Sequence, residues 1–360
     1  MSTPDPSTPV ADNAHDAHDA DRAGLVHVAD GQAGIRRQRH GRGFAYRQAR
    51  GAAVRDPRVL ARIRALAIPP AWQDVWICAD PRGHLQATGR DARGRKQYRY
   101  HPDWARHRGT GKFERIVAFG QALPSLRRHL RRDLAREGHP REKVLAIVVA
   151  VMDDTLLRIG NDAYRKQNRS YGLTTLRNRH VEFLAGGRAR IAFRGKGGQA
   201  QESVLDDRRL VRLVRRCRDL PGQSLFQYRD DAGELVPVQS SEVNDYLRQA
   251  MGESFTAKDF RTWGGTLAAM RGLAAAGDAP DVERECVRLQ TEVIRGVADE
   301  LGNTPAVCRS AYIDPAVFEG WRQGALHGVA ARCRGQRQWE QAALTFLRRA
   351  HRAPGRSRVR

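Results

Sequence analysis

The spacing of apolar residues changes character along this chain. Residues 1–22 are rich in Ser, Thr, Pro, Ala, Asp and His with almost no bulky apolar side chains, so they are expected to be disordered. From about 23 to 105 the apolar runs are short and separated by turn residues. Gly41-Arg42-Gly43-Phe44, Ile68-Pro69-Pro70-Ala71-Trp72, Val75-Trp76-Ile77-Cys78 and Leu85-Gln86-Ala87-Thr88 read as strands and turns around one helix near 57–66. Beyond 113 the period lengthens to that of helices, placed at 113–136, 140–159, 206–218, 240–251, 257–273, 281–301, 305–320 and 335–350. A hairpin interrupts them, Val181–Leu184 turning through Ala185-Gly186-Gly187 into Arg190–Phe193. The predicted fold is α+β: a small β-rich domain at 23–106 and a mostly α-helical domain at 113–351. A basic, glycine-bearing linker is expected at 107–112 between them, and a basic tail at 352–360.

Charge sharpens this picture. The chain has 360 residues, enough for two domains, and a net charge of +23. The first 22 residues carry five Asp and one Arg, which leaves 62 basic against 35 acidic residues in the remainder. Arginine heavily outnumbers lysine, and guanidinium forks suit phosphate oxygens. A polyanionic partner is the direct reading; solubility or compositional bias is the alternative. Five cysteines, at 78, 217, 286, 308 and 333, are scattered without a C-x-x-C pair. That argues against a disulfide framework and a zinc site, and for a reducing compartment. Val144–Met152 is too short an apolar run to span a bilayer, and no signal-peptide pattern opens the chain. A cytoplasmic or nucleoid-associated protein is expected.

Tyr312 then becomes informative. Gly302 stops one helical pattern, Thr304-Pro305 starts another, and Tyr312 is expected two turns into it. A tyrosine attacking a phosphodiester must lose a proton although its free pKa is about 10. The non-bridging oxygens need cationic donors, and the departing 5′ oxygen needs a proton. Arg158 ends an otherwise apolar helix and must find an anion, either a substrate or Asp153 or Asp154. Arg261 lies early in a helix with Lys258 three residues before it, on the same face. Lys196 sits among glycines just past the hairpin, able to approach another polymer or simply to face solvent. Asn303 lies nine residues before Tyr312, on the opposite side of any continuous helix, so only the break at Gly302 lets the two converge. In Lys96–His101, Gln97 and Arg99 face one way and Lys96, Tyr98 and Tyr100 the other, as a groove contact or as core packing.

In order and spacing these segments resemble the type IB DNA topoisomerases of the poxvirus-like bacterial group, and more distantly the tyrosine recombinases. The resemblance covers about 40–350 and rests on Lys96-Gln97-Tyr98, Leu157-Arg158-Ile159-Gly160, Tyr171–Leu176, Phe193-Arg194-Gly195-Lys196, Lys258-Asp259-Phe260-Arg261-Thr262 and Thr304-Pro305…Ser310-Ala311-Tyr312. It implies a monomeric clamp on duplex DNA that needs neither ATP nor metal. Tyr312 would form a 3′-phosphotyrosyl bond, Arg158 and Arg261 would hold the non-bridging oxygens, and Lys196 would protonate the 5′ oxygen. Asn303 stands where viral and eukaryotic members carry a histidine, which implies oxygen binding without added charge. Gln97, Tyr98, Tyr164 and Lys258 match DNA-contact positions. A tyrosine recombinase is the nearest alternative, with Lys258-Asp259-Phe260-Arg261 in place of a His-x-x-Arg motif against it. A non-enzymatic DNA-binding protein would explain the charge equally well.

Overall fold

The structure is a computed structural model. It describes residues 20–352 apart from 42, 93, 95, 163, 164, 166–168, 253 and 254, and the side chains of 105–112 and 114 are outside the description. The chain divides into two compact units, Met1–Lys112 and Phe113–Arg360.

The first unit is built on β1 (Ile35–His40), β2 (Gly43–Arg47), α1 (Pro57–Ala65), β3 (Gln73–Ile77), β4 (Leu85–Arg90) and β5 (Lys96–Tyr100). The strands form one antiparallel sheet in the order β2-β1-β3-β4-β5. Asp56 caps α1, accepting from the Arg58 amide at 2.8 Å, and Pro57 supplies a preset first turn. The run Val75-Trp76-Ile77-Cys78 is apolar at every position because both sheet faces are covered. Val75 and Ile77 pack with Ile35, Ile63 and Ala87. Trp76 and Cys78, pointing the other way, pack with Val28 and Leu85.

Helix α2 (Pro102–Leu134) runs through 107–112, where a linker was expected, and the unit boundary falls inside it. Gly109 and Gly111 lower helix propensity by about 1 kcal/mol each. Trp104 is buried in the first unit and Phe119 in the second.

The second unit continues with α3 (Arg141–Thr155), β6 (Val181–Leu184), β7 (Arg188–Arg194), β8 (Ala200–Leu205), α4 (Arg208–Arg218), β9 (Gln227–Arg229) and β10 (Leu235–Pro237). Helices follow to the end of the described residues: α5 (Ser240–Met251), α6 (Ala257–Ala275), α7 (Glu283–Leu301), α8 (Pro305–Ala311), α9 (Pro315–Arg322), α10 (Val329–Arg332) and α11 (Gln336–Arg352). Helix α3 is apolar all round because it is the centre of the core, with Val144–Val149, Val151 and Met152 buried. Among the described residues no helix is long and apolar enough to cross a membrane. The α+β expectation holds.

Three local expectations are corrected. The hairpin is part of a three-stranded sheet, β6-β7-β8; Lys196 lies just past its second strand, as expected, in the tight turn that leads to β8. Helix α3 stops at Thr155, because Leu156 takes a left-handed conformation at φ 53°. Arg158 is therefore in the loop that follows, not at a helix end. The pattern at 305–320 is two helices: Asp314 accepts from the Ala316 amide at 2.9 Å and Pro315 starts α9. Tyr312 caps the end of α8 instead of sitting within a helix.

Candidate active site

Four separate segments of the second unit meet at one cavity of about 290 Å³. The loop after α3 brings Arg158, the β7–β8 turn Lys196, the first turns of α6 Lys258 and Arg261, and the end of α8 Tyr312. Each is fixed by local structure. The carbonyls of Arg158 and Ile159 accept from the amides of Leu173 and Thr174 at 2.9 and 2.8 Å. That pairing presses Gly160 against Gly172: a Cβ on Gly172 would come within 2.5 Å of Gly160 backbone. Side chains larger than hydrogen would push the Arg158 loop away.

Helix α6 starts at a reciprocal cap, the Asp259 carboxylate accepting from the Thr256 amide at 2.8 Å and its hydroxyl at 3.1 Å. Arg261, 3% exposed, follows one turn later. Its guanidinium donates to the carbonyls of Leu156 and, at 2.7 Å, Leu301. It thereby ties the end of α3 to the end of α7. Thr304 caps α8 through the Val307 amide at 3.4 Å. The Tyr312 carbonyl accepts from the Thr266 hydroxyl at 3.3 Å, and Gly265 lets α6 approach the tyrosine backbone.

Among the described residues no carboxylate pairs with the cations here. Arg158 donates to Asn303 Oδ1 at 2.5 Å and to the Gly302 carbonyl at 3.4 Å. Among the described residues it makes no ion pair; Asp153, one of its candidate partners, instead faces Arg127 at 3.4 Å. The Arg261 guanidinium carbon stands 4.9 Å from the Tyr312 ring centre. Burial, then the charge of Arg158, lowers the Arg261 pKa from its ordinary value. Burial pushes the Tyr312 phenol up, but Arg261, followed by Arg158 and Lys258, outweighs it and holds the phenol below the usual 10. Two buried donors, Arg261 Nε and Asn303 Nδ2, have no hydrogen-bond partner among the described residues. Leaving buried donors unpaired is costly, and an anion with several acceptor oxygens would satisfy both. The arrangement can therefore favour a phenolate and hold a phosphoryl group.

Of the sequence-predicted residues, Tyr312, Arg158, Lys196, Arg261 and Lys258 line this cavity. Asn303 reaches it only through Arg158. Gln97 and Tyr98 lie on β5 of the other unit, with Gln97 donating to Asp91 at 3.0 Å. Tyr164 lies outside the described residues. Tyr171 and Ser170 line the cavity without having been singled out, although Tyr171 opens one of the motif segments. Gln201 was also missed. It is 8% exposed, and its amide sits where a Cβ on Gly302 would be, 2.2 Å away. No local signal marks it, because the contact joins β8 to the glycine at φ 55° that ends α7, far away in the sequence.

The family description "Eukaryotic DNA topoisomerase I, catalytic core" matches residues 101–320, and "Bacterial DNA topoisomerase IB, N-terminal domain" matches 43–91. A DNA topoisomerase 1B of Acanthamoeba polyphaga mimivirus is 30% identical over 286 residues, covering 78% of this chain and 85% of its own length. The DNA topoisomerase 1B of vaccinia virus (strain Copenhagen) is 21% identical over 233 residues, 64% of this chain and 71% of the viral protein. A DNA topoisomerase 1 of Mycosarcoma maydis is 24% identical over 169 residues, 42% of this chain and 16% of that protein.

Proposed function

Because this chain belongs to the type IB DNA topoisomerases, we propose that it relaxes supercoiled duplex DNA by reversible transesterification at Tyr312. The Tyr312 oxygen attacks the phosphorus, a 3′-phosphotyrosyl bond forms, and the bond from phosphorus to the 5′ oxygen breaks. Arg158 and Arg261 hold the non-bridging oxygens through the transition state, with Asn303 adding a neutral donor. Lys196, in the glycine turn between β7 and β8, gives a proton to the departing 5′ oxygen. One phosphoester is exchanged for another, so reversal by the 5′ hydroxyl restores the strand with no external energy source. Between the two steps the cut strand rotates.

The observation that carries this reading is the cavity itself: a tyrosine beside two arginines that bond amide and carbonyl oxygens and, among the described residues, form no ion pair. The reading extends to Gln97, Tyr98, Tyr164 and Lys258 as duplex contacts, to a monomeric enzyme, and to the nucleoid as its place of work. A suicide duplex tests it. The parent protein is expected to form an adduct that survives denaturant, and Tyr312→Phe to form none while binding DNA within about twofold of the parent. A Tyr312→Phe protein that still relaxes plasmid would sink the assignment.

A further inference from the structure

Strand β8 turns Gln201, Ser203 and Leu205 inward and Ala200, Glu202 and Val204 outward. An aliphatic residue would suit an inward position, yet Gln201 is buried there. Its amide nitrogen donates to the Ala200 carbonyl at 3.1 Å, which satisfies a buried donor and fixes the side chain. That side chain fills space left by two glycines. A Cβ on Gly195 would stand 2.5 Å from Gln201 Cγ, and one on Gly302 would collide with the Gln201 amide. Gly195 opens the turn that carries Lys196. Gly302 offers its carbonyl to Arg158 at 3.4 Å, and beside it Asn303 Oδ1 accepts from the same guanidinium at 2.5 Å. Gln201 thus stands between the lysine turn and the arginine's partners.

Lys196 depends on such support. It is exposed, and among the described residues its ammonium group has no hydrogen bond or ion pair. Its aim is set by the backbone of the turn, where Gly197 and Gly198 take φ 75° and 80° and bring no side chain to brace it. Backbone contacts hold the base of the turn: the Gly195 amide donates to the Gln199 carbonyl at 2.8 Å, and the Arg194 carbonyl accepts from the Tyr171 amide at 2.8 Å. Gln201 adds a side-chain contact that joins this base to Gly302. We infer that Gln201 is a positioning residue of the cleavage step: it touches no substrate atom, and it holds the Lys196 turn at the spacing from the Arg158–Asn303 pair that proton delivery requires. The inference rests on Lys196 being the proton donor to the 5′ oxygen. In that step the bond from the Tyr312 oxygen to phosphorus forms, the bond from phosphorus to the 5′ oxygen breaks, and a Lys196 proton passes to the departing oxygen. Religation runs the same transfer backward.

The test offers the full-length protein suicide duplexes that carry either oxygen or sulfur at the 5′ bridging position of the scissile phosphate. A thiol, with an ordinary pKa of about 8.5, departs as the thiolate, whereas an alcohol oxygen needs a proton to leave. On the oxygen duplex, single-turnover cleavage by Gln201→Ala should be about 10- to 100-fold slower than by the parent. On the sulfur duplex the two proteins should agree within about threefold. Gly195 has φ −90°, which alanine accepts, so Gly195→Ala displaces the turn through its clash with Gln201 and should show the same pattern. The double variant removes that clash and should be no slower than Gln201→Ala alone. Equal slowing on both duplexes would overturn the inference, because Gln201 would then serve the phosphate clamp or the fold at large. So would a Gln201→Ala protein as fast as the parent, or two single losses that multiply in the double variant. Lys196→Ala separates this inference from the reading beneath it. If sulfur fails to restore Lys196→Ala, the proton-donor role falls and the inference with it; if the parent leaves no covalent adduct, the Tyr312 reading falls.

Discussion

Arg127 and Arg261 are both drawn into the interior of the helical unit, and they are satisfied in opposite ways. Arg127 forks onto Glu340, with N–O distances of 2.6 and 2.8 Å, and reaches Asp153 at 3.4 Å. The hydrogen bonds to Glu340, with the charges of Asp153 and Glu340, overcome burial and raise its pKa. Arg261 is more deeply buried, yet it bonds two carbonyls and the Tyr312 side chain, its Nε has no partner among the described residues, and the charge of Arg158 works against its own. The first site closes its charge and joins α2, α3 and α11. The second keeps its charge available for a ligand. Positive charge held without an internal counter-ion marks the place where an anion is expected, a stronger sign than the net charge of the chain.

The comparison breaks most visibly in rate. Arg261→Met should slow single-turnover cleavage by on the order of 10²–10³, as loss of an oxyanion donor does. Arg127→Met should leave cleavage by the folded protein within about twofold. If both variants lose activity equally once matched for folded protein, the distinction between the two sites is wrong.

Stability should rank the same pair in reverse. Arg127→Met strands Glu340 and Asp153, and with a partly exposed arginine the loss is about 2 kcal/mol in denaturant unfolding. Arg261→Met should lose less than that. Burial raises the Glu340 carboxyl, but Arg127 outweighs it and holds the pKa below the ordinary 4.5. The contribution of Glu340 is thus full above pH 4.5 and fades as pH falls through its folded value. The stability gap between the parent and Glu340→Gln should close over that acid range; a gap that is constant with pH would contradict the ion-pair account.

Asn303 sits between the two kinds of site, a neutral side chain on a charged one. Asn303→Ala removes a single neutral donor, so cleavage should fall by about tenfold, without a change in the shape of its pH profile. Asn303→His introduces a group with an ordinary pKa near 6.5, and an acid limb should appear that the parent lacks. An acid limb already present in the parent and absent from Asn303→Ala would show that Asn303 matters through a neighbouring titratable group.

How far the site could be read from sequence follows from what each residue needs. Helix α5 was legible at both ends, since Gly252 takes the left-handed cap at φ 75° that few other residues accept. The family resemblance and the α+β class were legible for a similar reason, as they rest on ordered local motifs. The break at Tyr312 was written in Asp314-Pro315, a helix-start signal that the apolar periodicity of 305–320 obscured. The end of α3 was not written locally at all. Leu156 adopts φ 53° because its carbonyl is needed by Arg261, 105 residues away. Strand β8 was hidden by its composition, Ala-Gln-Glu-Ser-Val-Leu, and is fixed by pairing with β7. Neither could a one-residue pattern reveal that Arg158 bonds an amide, while Asp153 is taken by Arg127.

The finest test separates buried from exposed charge within the cavity. Lys258 is exposed, and it is the last and weakest of the cations that hold the Tyr312 phenol below 10. Its removal raises the phenol pKa. Cleavage that depends on the phenolate should then rise toward its plateau at higher pH in Lys258→Met than in the parent. At saturating DNA and neutral pH the loss should be only about two- to threefold, the usual scale of an exposed charge. Added salt screens an exposed charge and spares a buried one. The gap between Lys258→Met and parent should therefore shrink as salt is raised, while that of Arg261→Met persists. If both gaps respond to salt alike, Arg261 acts as a general attractor for DNA, and its burial beneath Tyr312 has no special part in the chemistry.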